Sequence, residues 1–398
     1  MESYLLDWAN LLLRWLHIVT AIAWIGASFY FVWLDNHLLK PESPELKARG
    51  VDGELWAVHG GGFYNPQKYL VAPPNLPQHL HWFYWESYWT WMSGFALFTV
   101  LYLFNAESFL IDRRVHDWSA PAAIATALGF LAAGWLVYDQ ICRRFGHRKD
   151  GSIGNDGLVL GLIAVFVALA AWAACQLFAG RAAFLIVGAM IATIMSANVF
   201  FWIIPGQKQV IADMRAGRPV SPIYGQRGKQ RSVHNTFLTA PVLVSMLSNH
   251  YGMLYSHAWN WAVLILLMLG GSLTRTWFVK RHKGVNAWPL LVVVALMLAV
   301  LLWLVKPVDT AAGSPASKAA PSLAQVQAVV AERCVMCHNA QLAQKGVRLD
   351  SAESLQAHAP QVYQQVVLQK SMPLNNATQI TEDERALIGR WVQAGARP

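Results

Sequence analysis

Charge is scarce in this sequence. Charged residues make up 13% of the 398 and apolar residues 55%, a ratio that excludes both an ordinary soluble domain and a disordered chain. Cysteine is scarce as well. Four copies do not make a disulfide framework, and two of them, Cys142 and Cys175, sit at the end of and within apolar segments, where they read as small buried hydrophobes. A cleavable signal peptide is not evident: the first apolar segment is too long and lacks a small-residue cleavage site, so it is expected to stay as a signal anchor. No Gly-Lys-Ser/Thr follows Gly60, Gly61 and Gly62, which argues against a phosphate-binding loop. The net charge of +9 would point to nucleic acid in a soluble chain. In a chain this apolar it is read loop by loop instead, and no nucleic-acid partner is expected.

What the sequence does have is long apolar segments, at 11–34, 82–104, 121–141, 158–178, 182–204, 237–254, 258–279 and 288–305. Each is long enough, or nearly so, to cross about 30 Å of hydrocarbon as a helix. Lys and Arg cluster after the first, third, fifth and seventh segments, including Lys40 and Lys47, Arg143 and Arg144, Arg215, Arg218, Arg227 and Arg231, and Lys280 and Arg281. The other side has Arg113, Arg114, Arg181 and Lys306. The excess marks the first set as cytoplasmic and puts both termini outside.

The region 323–398 differs in kind. Cys334-Val335-Met336-Cys337-His338 has the two thiols and following histidine that covalent haem attachment requires: the cysteines take the vinyl groups and His338 lies under the iron. Met372 follows at a distance suited to a sixth ligand. Thr381 and Glu384 form a capping box ahead of a stripe of Leu387, Ile388, Trp391 and Val392. This region resembles a small class I cytochrome c domain, which is matured outside the bacterial cytoplasm, so the haem motif and the loop charges agree on a periplasmic C-terminus. The expected organisation is an all-α bundle of about eight transmembrane helices over 1–308, a Pro/Ala/Ser-rich flexible linker over 309–322, and the haem domain. The location is then the bacterial inner membrane, multi-pass.

Polar residues inside the segments are the candidates for function, because they are costly in a bilayer. His17 heads a helical stripe with Thr20, Ala21, Trp24, Ser28 and Asp35. The loop 35–81 is long; its 53–64 stretch alternates like a hairpin strand before three glycines, and includes His59. His81, Trp85, Tyr88 and Met92 read as one stripe of the second span, with Glu86, Thr90 and Ser93 as another. His234 and Asn235 open the sixth span and His250 ends it. Sixteen residues separate the two histidines, about 24 Å along a helix, so they serve two levels of the membrane.

His17 with Trp24-Ile-Gly26, the 53–64 and 81–94 stretches, Asn198-Val-Phe-Phe-Trp-Ile-Ile-Pro-Gly-Gln-Lys208, the 234–251 stretch and the C-terminal haem motif together resemble the membrane-bound, cytochrome c-type urate oxidases of bacteria. The resemblance implies oxidation of urate to 5-hydroxyisourate, with electrons passed to a cytochrome or terminal oxidase of the respiratory chain and no peroxide formed. His59, Glu86, His234 and Asn235 are then candidates to hold urate and remove a proton. Haem c is expected on Cys334 and Cys337, with His338 and Met372 as iron ligands. A haem b in the bundle is also expected, with His17 and His250 the first choice of axial pair and His81 with His234 the second. If the second pair holds iron, its histidines cannot also be the base. Two other classes remain open: a quinol-to-cytochrome electron conduit, and a urate or purine transporter with a redox-sensing domain.

Overall fold

The computed structural model describes residues 2–306 and 321–397, so most of the expected 309–322 linker lies outside the described residues. α1 (Glu2–His37) leads through a one-turn α2 (Pro44–Ala48) to four short strands, β1 (Val51–Glu54), β2 (Ala57–His59), β3 (Gly62–Tyr64) and β4 (Gln67–Tyr69). α3 (Trp85–Phe98) continues as a π-helical turn over Thr99–Leu103 and is followed by the single turn α4 (Ala106–Phe109). Next come α5 (Ala120–Gly146), α6 (Asp156–Leu177) and α7 (Gly180–Asn198); α7 runs on through a π-helical Val199–Ile203 into α8 (Ile204–Arg215). α9 (Pro222–Leu247), the short α10 (Gly252–Tyr255), α11 (Asn260–His282) and α12 (Pro289–Leu304) complete the bundle.

Each of the eight expected apolar segments lies largely in a helix. Among the described residues, five stretches are long and apolar enough to cross a membrane: Trp8–His37, Ala120–Gly146, Asp156–Leu177, Gly180–Arg215 and Asn260–His282. The other three fall short for separate reasons. α12 has only 16 residues, α3 has 14 before its π turn, and α9 begins with the polar run that carries Gln230, Arg231, His234 and Asn235, all buried. The loop expected after the fifth segment is in fact mostly helix, α8 and the first half of α9. Ser221 starts α9 by accepting from the Ile223 amide, with Pro222 in the first turn, where its missing N–H is no loss.

α7 is the centre of the bundle. Phe184, Ile186, Val187, Met190, Ile191 and Ile194 are all buried along it, and small residues let its neighbours come close. A Cβ at Gly188 would lie 2.9 Å from Ser245 Cβ of α9, and one at Gly134 of α5 would collide with Met190. Between α1 and α3 the expected hairpin forms as two antiparallel ladders, β1 with β4 and β2 with β3. Its tip is Gly60-Gly61, both with positive φ, as a two-residue turn between twisted strands requires.

The C-terminal unit has its own core. α13 (Leu323–Arg333) starts with a capping box of Ser322 and Gln325, and α14 (Ala352–Ala357) and α15 (Ala359–Val362) are short. α16 (Glu382–Gln393) starts with the expected box: Glu384 N–H donates to Thr381 Oγ1 at 3.2 Å and Thr381 N–H to Glu384 Oε2 at 2.7 Å. Ile388 and Trp391 of the expected stripe are buried against Val326, Val330 and Leu355. Arg333 ties α13 to α16 through Glu384, at 3.0 Å. Burial pushes the Glu384 carboxyl upward, but its bonds to the Thr381 amide and Arg333 outweigh this and hold it below the ordinary glutamate value.

Candidate functional site

Three helices bring polar side chains together inside the bundle. α5 supplies Tyr138, Asp139 and Cys142, the end of α7 supplies Asn198 and its π-helical continuation Trp202, and α9 supplies Arg231, His234 and Asn235; each set is spaced for one helical face. His234 Nδ1 lies 2.8 Å from the Tyr138 hydroxyl and 3.8 Å from Cys142 Sγ. Asn198 donates to the Tyr138 hydroxyl and to Asn235 Oδ1, both at 2.9 Å, and Asn235 donates to the Met195 carbonyl at 2.9 Å.

Arg231 is the charged centre of this network and is fully buried. One terminal nitrogen donates to Asp139 Oδ1 at 2.8 Å. Asp139 also accepts from Trp202 Nε1 at 2.7 Å and from Arg143 at 2.6 Å. The guanidinium lies 4.7 Å from the Trp202 ring centroid and 5.1 Å from that of Tyr138. Its Nε and other terminal nitrogen have no partner, nor has Asn198 Oδ1. Leaving such groups bare costs about 1–3 kcal/mol each, more when charged. Anionic acceptors would satisfy the two arginine nitrogens, and an N–H would satisfy Asn198 Oδ1.

The structure distributes the sequence-predicted residues unevenly. His234 and Asn235 are in the network, but both ends of the Asn235 amide are taken, so it holds Asn198 in place. Glu86, in the first turn of α3, has Oε2 buried without a partner. Next to it, the Ser87 carbonyl accepts from Ser196 of α7 at 3.3 Å. His59 is exposed at the hairpin tip. His81 precedes α3 and lies against Phe83, so the expected helical stripe through His81 does not form; the helix begins only at Trp85. His81 meets Phe83, while His234 meets Tyr138 and Cys142. Arg231, counted by sequence among the loop cations, is a second correction, since α9 buries it. The sequence reading missed Tyr138, Asp139 and Trp202 as site residues. Asp139 alone carried a signal, as a carboxylate within an apolar segment.

A separate cleft of about 490 Å³ lies between the chain before α3 and α8, lined by Gln78, His79, Trp82, Lys208 and Arg215 among others and by none of the network residues. Its cations and aromatic ring suit a flat anion on its way in.

Of the histidines proposed for a bundle haem, His17 packs on α3. Its Nδ1 is 3.0 Å from the Thr90 carbonyl and 3.2 Å from Ser93 Oγ, and a Cβ at Gly94 would lie 2.8 Å from its Cε1. A carbonyl partner requires the proton on Nδ1, which leaves Nε2 with a free lone pair. His250 is exposed on the 3₁₀ turn Ser248–His250 that follows α9.

In the C-terminal unit His338 Nδ1 is likewise engaged, by the Val347 carbonyl at 3.1 Å, which frees Nε2. Cys334 is buried, its thiol pushed up to about 11 by burial, and Cys337 is exposed. Arg385, almost fully buried, fixes the Met372 loop by donating to the Met372 carbonyl at 2.8 Å and to Asn376 Oδ1 at 3.2 Å. Two thiols, an imidazole with a free nitrogen and a positioned thioether fit a covalently held haem. Among the described residues no group of three or more His, Cys, Asp or Glu side chains could hold a bare metal ion. The Met372 loop rests on the bundle. Asn375 donates to the Ser108 carbonyl at 2.7 Å, and a Cβ at Gly252 would meet Gln369 Oε1 at 3.1 Å.

No curated protein and no solved structure matches this chain. Residues 3–306 match the family described as urate oxidase N-terminal. The match takes in the whole bundle, the Arg231 network included, and the chain therefore belongs to the urate oxidase N-terminal family.

Proposed function

We propose that the chain is a membrane-bound enzyme that oxidises urate to 5-hydroxyisourate, taking up one water and releasing two protons and two electrons, with the electrons leaving through the C-terminal unit. The observation that carries this reading is the joining, in one chain, of a urate oxidase family bundle to a Cys334–His338 motif whose Met372 loop rests on that bundle. Arg231 offers its two unpartnered nitrogens as separate donors to the urate anion, and Asn198 Oδ1 accepts from a ring N–H. Asp139 keeps the guanidinium charged and fixed. With Nδ1–H donated to the Tyr138 hydroxyl, His234 would keep Nε2 unprotonated and able to take a proton. Glu86 Oε2 is a second acceptor on the α3 side. The Lys208 and Arg215 cleft would admit urate from the cytoplasmic side, an orientation supported by the Lys and Arg excess of the loops.

Cys334, Cys337, His338 and Met372 would hold a haem c, and His17 Nε2 is free to serve as one ligand of a haem b. Haem, when bound, supplies a one-electron acceptor that makes oxygen unnecessary. The test is to give urate to the purified protein without oxygen. Reduction of the c-type haem supports the reading, and quinol oxidation without urate turnover, or urate uptake into proteoliposomes without oxidation, replaces it with the conduit or the transporter.

A further inference from the structure

Arg275 lies in α11, on the side that meets α1. Its guanidinium is 4.1 Å from the ring centroid of Phe29 in α1, and its Nε and one terminal nitrogen are shielded from solvent with no hydrogen-bond partner. Seven residues further on, about 10 Å along the helix, His282 meets His37 of α1 edge to face, with ring centroids 5.1 Å apart. His37 is itself stacked on Trp33, 4.8 Å away, with Nδ1 on the Trp33 carbonyl at 2.7 Å.

Among the described residues no carboxylate bonds to Arg275, His37 or His282. The charged neighbours of His282 are His37, Arg275 and Arg281. Asp35, the carboxylate nearest in sequence on α1, is already bonded to Lys68 at 2.5 Å and Lys229 at 2.8 Å. A guanidinium left bare within an apolar span is costly, so a counter-anion is called for. The surroundings indicate its source. The apolar stretch of α1 is not buried within the protein, and Phe29 and Trp33 are exposed beside the seam, so the seam opens to lipid.

We propose that the seam between α1 and α11 binds the phosphate of an anionic phospholipid, held by Arg275 with His37 and His282. The phosphodiester's two free oxygens match the guanidinium fork, and the long arginine stem lets the charge rise toward headgroup level. Lys280, Arg281 and His282 in the last turn of α11 add to the attraction at the same end.

The test uses the full chain, purified in detergent and stripped of lipid, then titrated with phosphatidylglycerol, with phosphatidylcholine and inorganic phosphate as separate probes. Bound lipid is counted by native mass spectrometry, and thermal midpoints are read alongside. Phosphatidylglycerol alone should be retained and raise the midpoint. R275Q should bind it about 10-fold more weakly or worse. H282Q, at the helix end, should show a smaller loss and guards against misfolding of the arginine variant. R144Q, which removes an exposed charge elsewhere, should bind as wild type. Unchanged phosphatidylglycerol binding in both R275Q and H282Q overturns the proposal. So does an equal midpoint rise with inorganic phosphate, which would make this a site for a soluble anion.

Discussion

Arg231 of α9 and Asp139 of α5 form an ion pair at 2.8 Å in which the arginine is fully buried and the aspartate nearly so. The pair uses only part of each residue's bonding capacity. Asp139 spreads its charge over Arg143 and Trp202 as well, and Arg231 keeps two donor nitrogens unused. Removing one partner of such a pair costs about 3–5 kcal/mol, whereas replacing both by neutral groups of similar size is often close to neutral. Arg231→Ala should therefore lower the thermal midpoint. Arg231→Met combined with Asp139→Asn should largely restore it while urate turnover stays low. Charge-assisted bonds are worth about 1.5–3 kcal/mol, so the double variant should show roughly a 10- to 100-fold loss in kcat/KM. Normal urate kinetics in a folded double variant would remove Arg231 from the binding role.

Tyr138 links the arms of the network, since its hydroxyl meets both His234 and Asn198. Tyr138→Phe deletes one oxygen and leaves two buried groups short of a partner, at about 1–3 kcal/mol. Urate oxidation should slow, and the c-type haem spectrum should not change. His234→Gln should go further and abolish turnover, because the side chain proposed to take the proton is gone. A His234→Gln enzyme that retains turnover would move the base elsewhere, with Glu86 next in line.

How much of this was legible in the sequence depended on how local the signal was. The apolar runs gave the helices. The glycine pair and the alternation around His59 gave the hairpin, and Thr381 with Glu384 gave the start of α16. Helix ends were harder, because the first half of α9 is polar and burial starts only at Gln230: Gln230 and Arg231 look like loop residues until α5 and α7 are packed around them. His234 and Asn235 could be picked out as polar residues at the mouth of a span. Tyr138 and Trp202 could not, since an aromatic residue in an apolar segment reads as packing until its hydroxyl or indole N–H is seen to meet a partner on another helix.

Glu384 gives the C-terminal unit a pH dependence of known sign. Its folded value lies below the ordinary one, so its contribution is complete above the unfolded value of about 4.3 and is lost as pH falls through the lowered folded value. Acid titration of the intact protein, followed by haem c absorbance, should show Glu384→Gln with a weaker dependence on the acid side and lower stability near neutrality. An unaltered acid profile would mean that the Arg333 and Thr381 contacts contribute nothing in solution.

The contact between Asn375 and the Ser108 carbonyl is one of the places where the Met372 loop touches the bundle. Asn375→Ala removes a bond to an exposed backbone group, so its effect on stability should be small. Its effect on electron exit should be larger: reduction of the c-type haem by urate should slow while binding of urate and the haem spectra stay as in wild type. An unchanged reduction rate would mean that the two units exchange electrons through another contact.

The central claim, urate oxidation with electrons leaving through the C-terminal unit, is tested most directly by adding urate to the purified protein under strict exclusion of oxygen while recording its visible spectrum. The account predicts that the reduced c-type band appears as urate is consumed, and that Cys334→Ala with Cys337→Ala, which removes the thiols that would hold the haem, loses both. Urate consumption that requires oxygen, yields peroxide and leaves the c-type haem oxidised would contradict it.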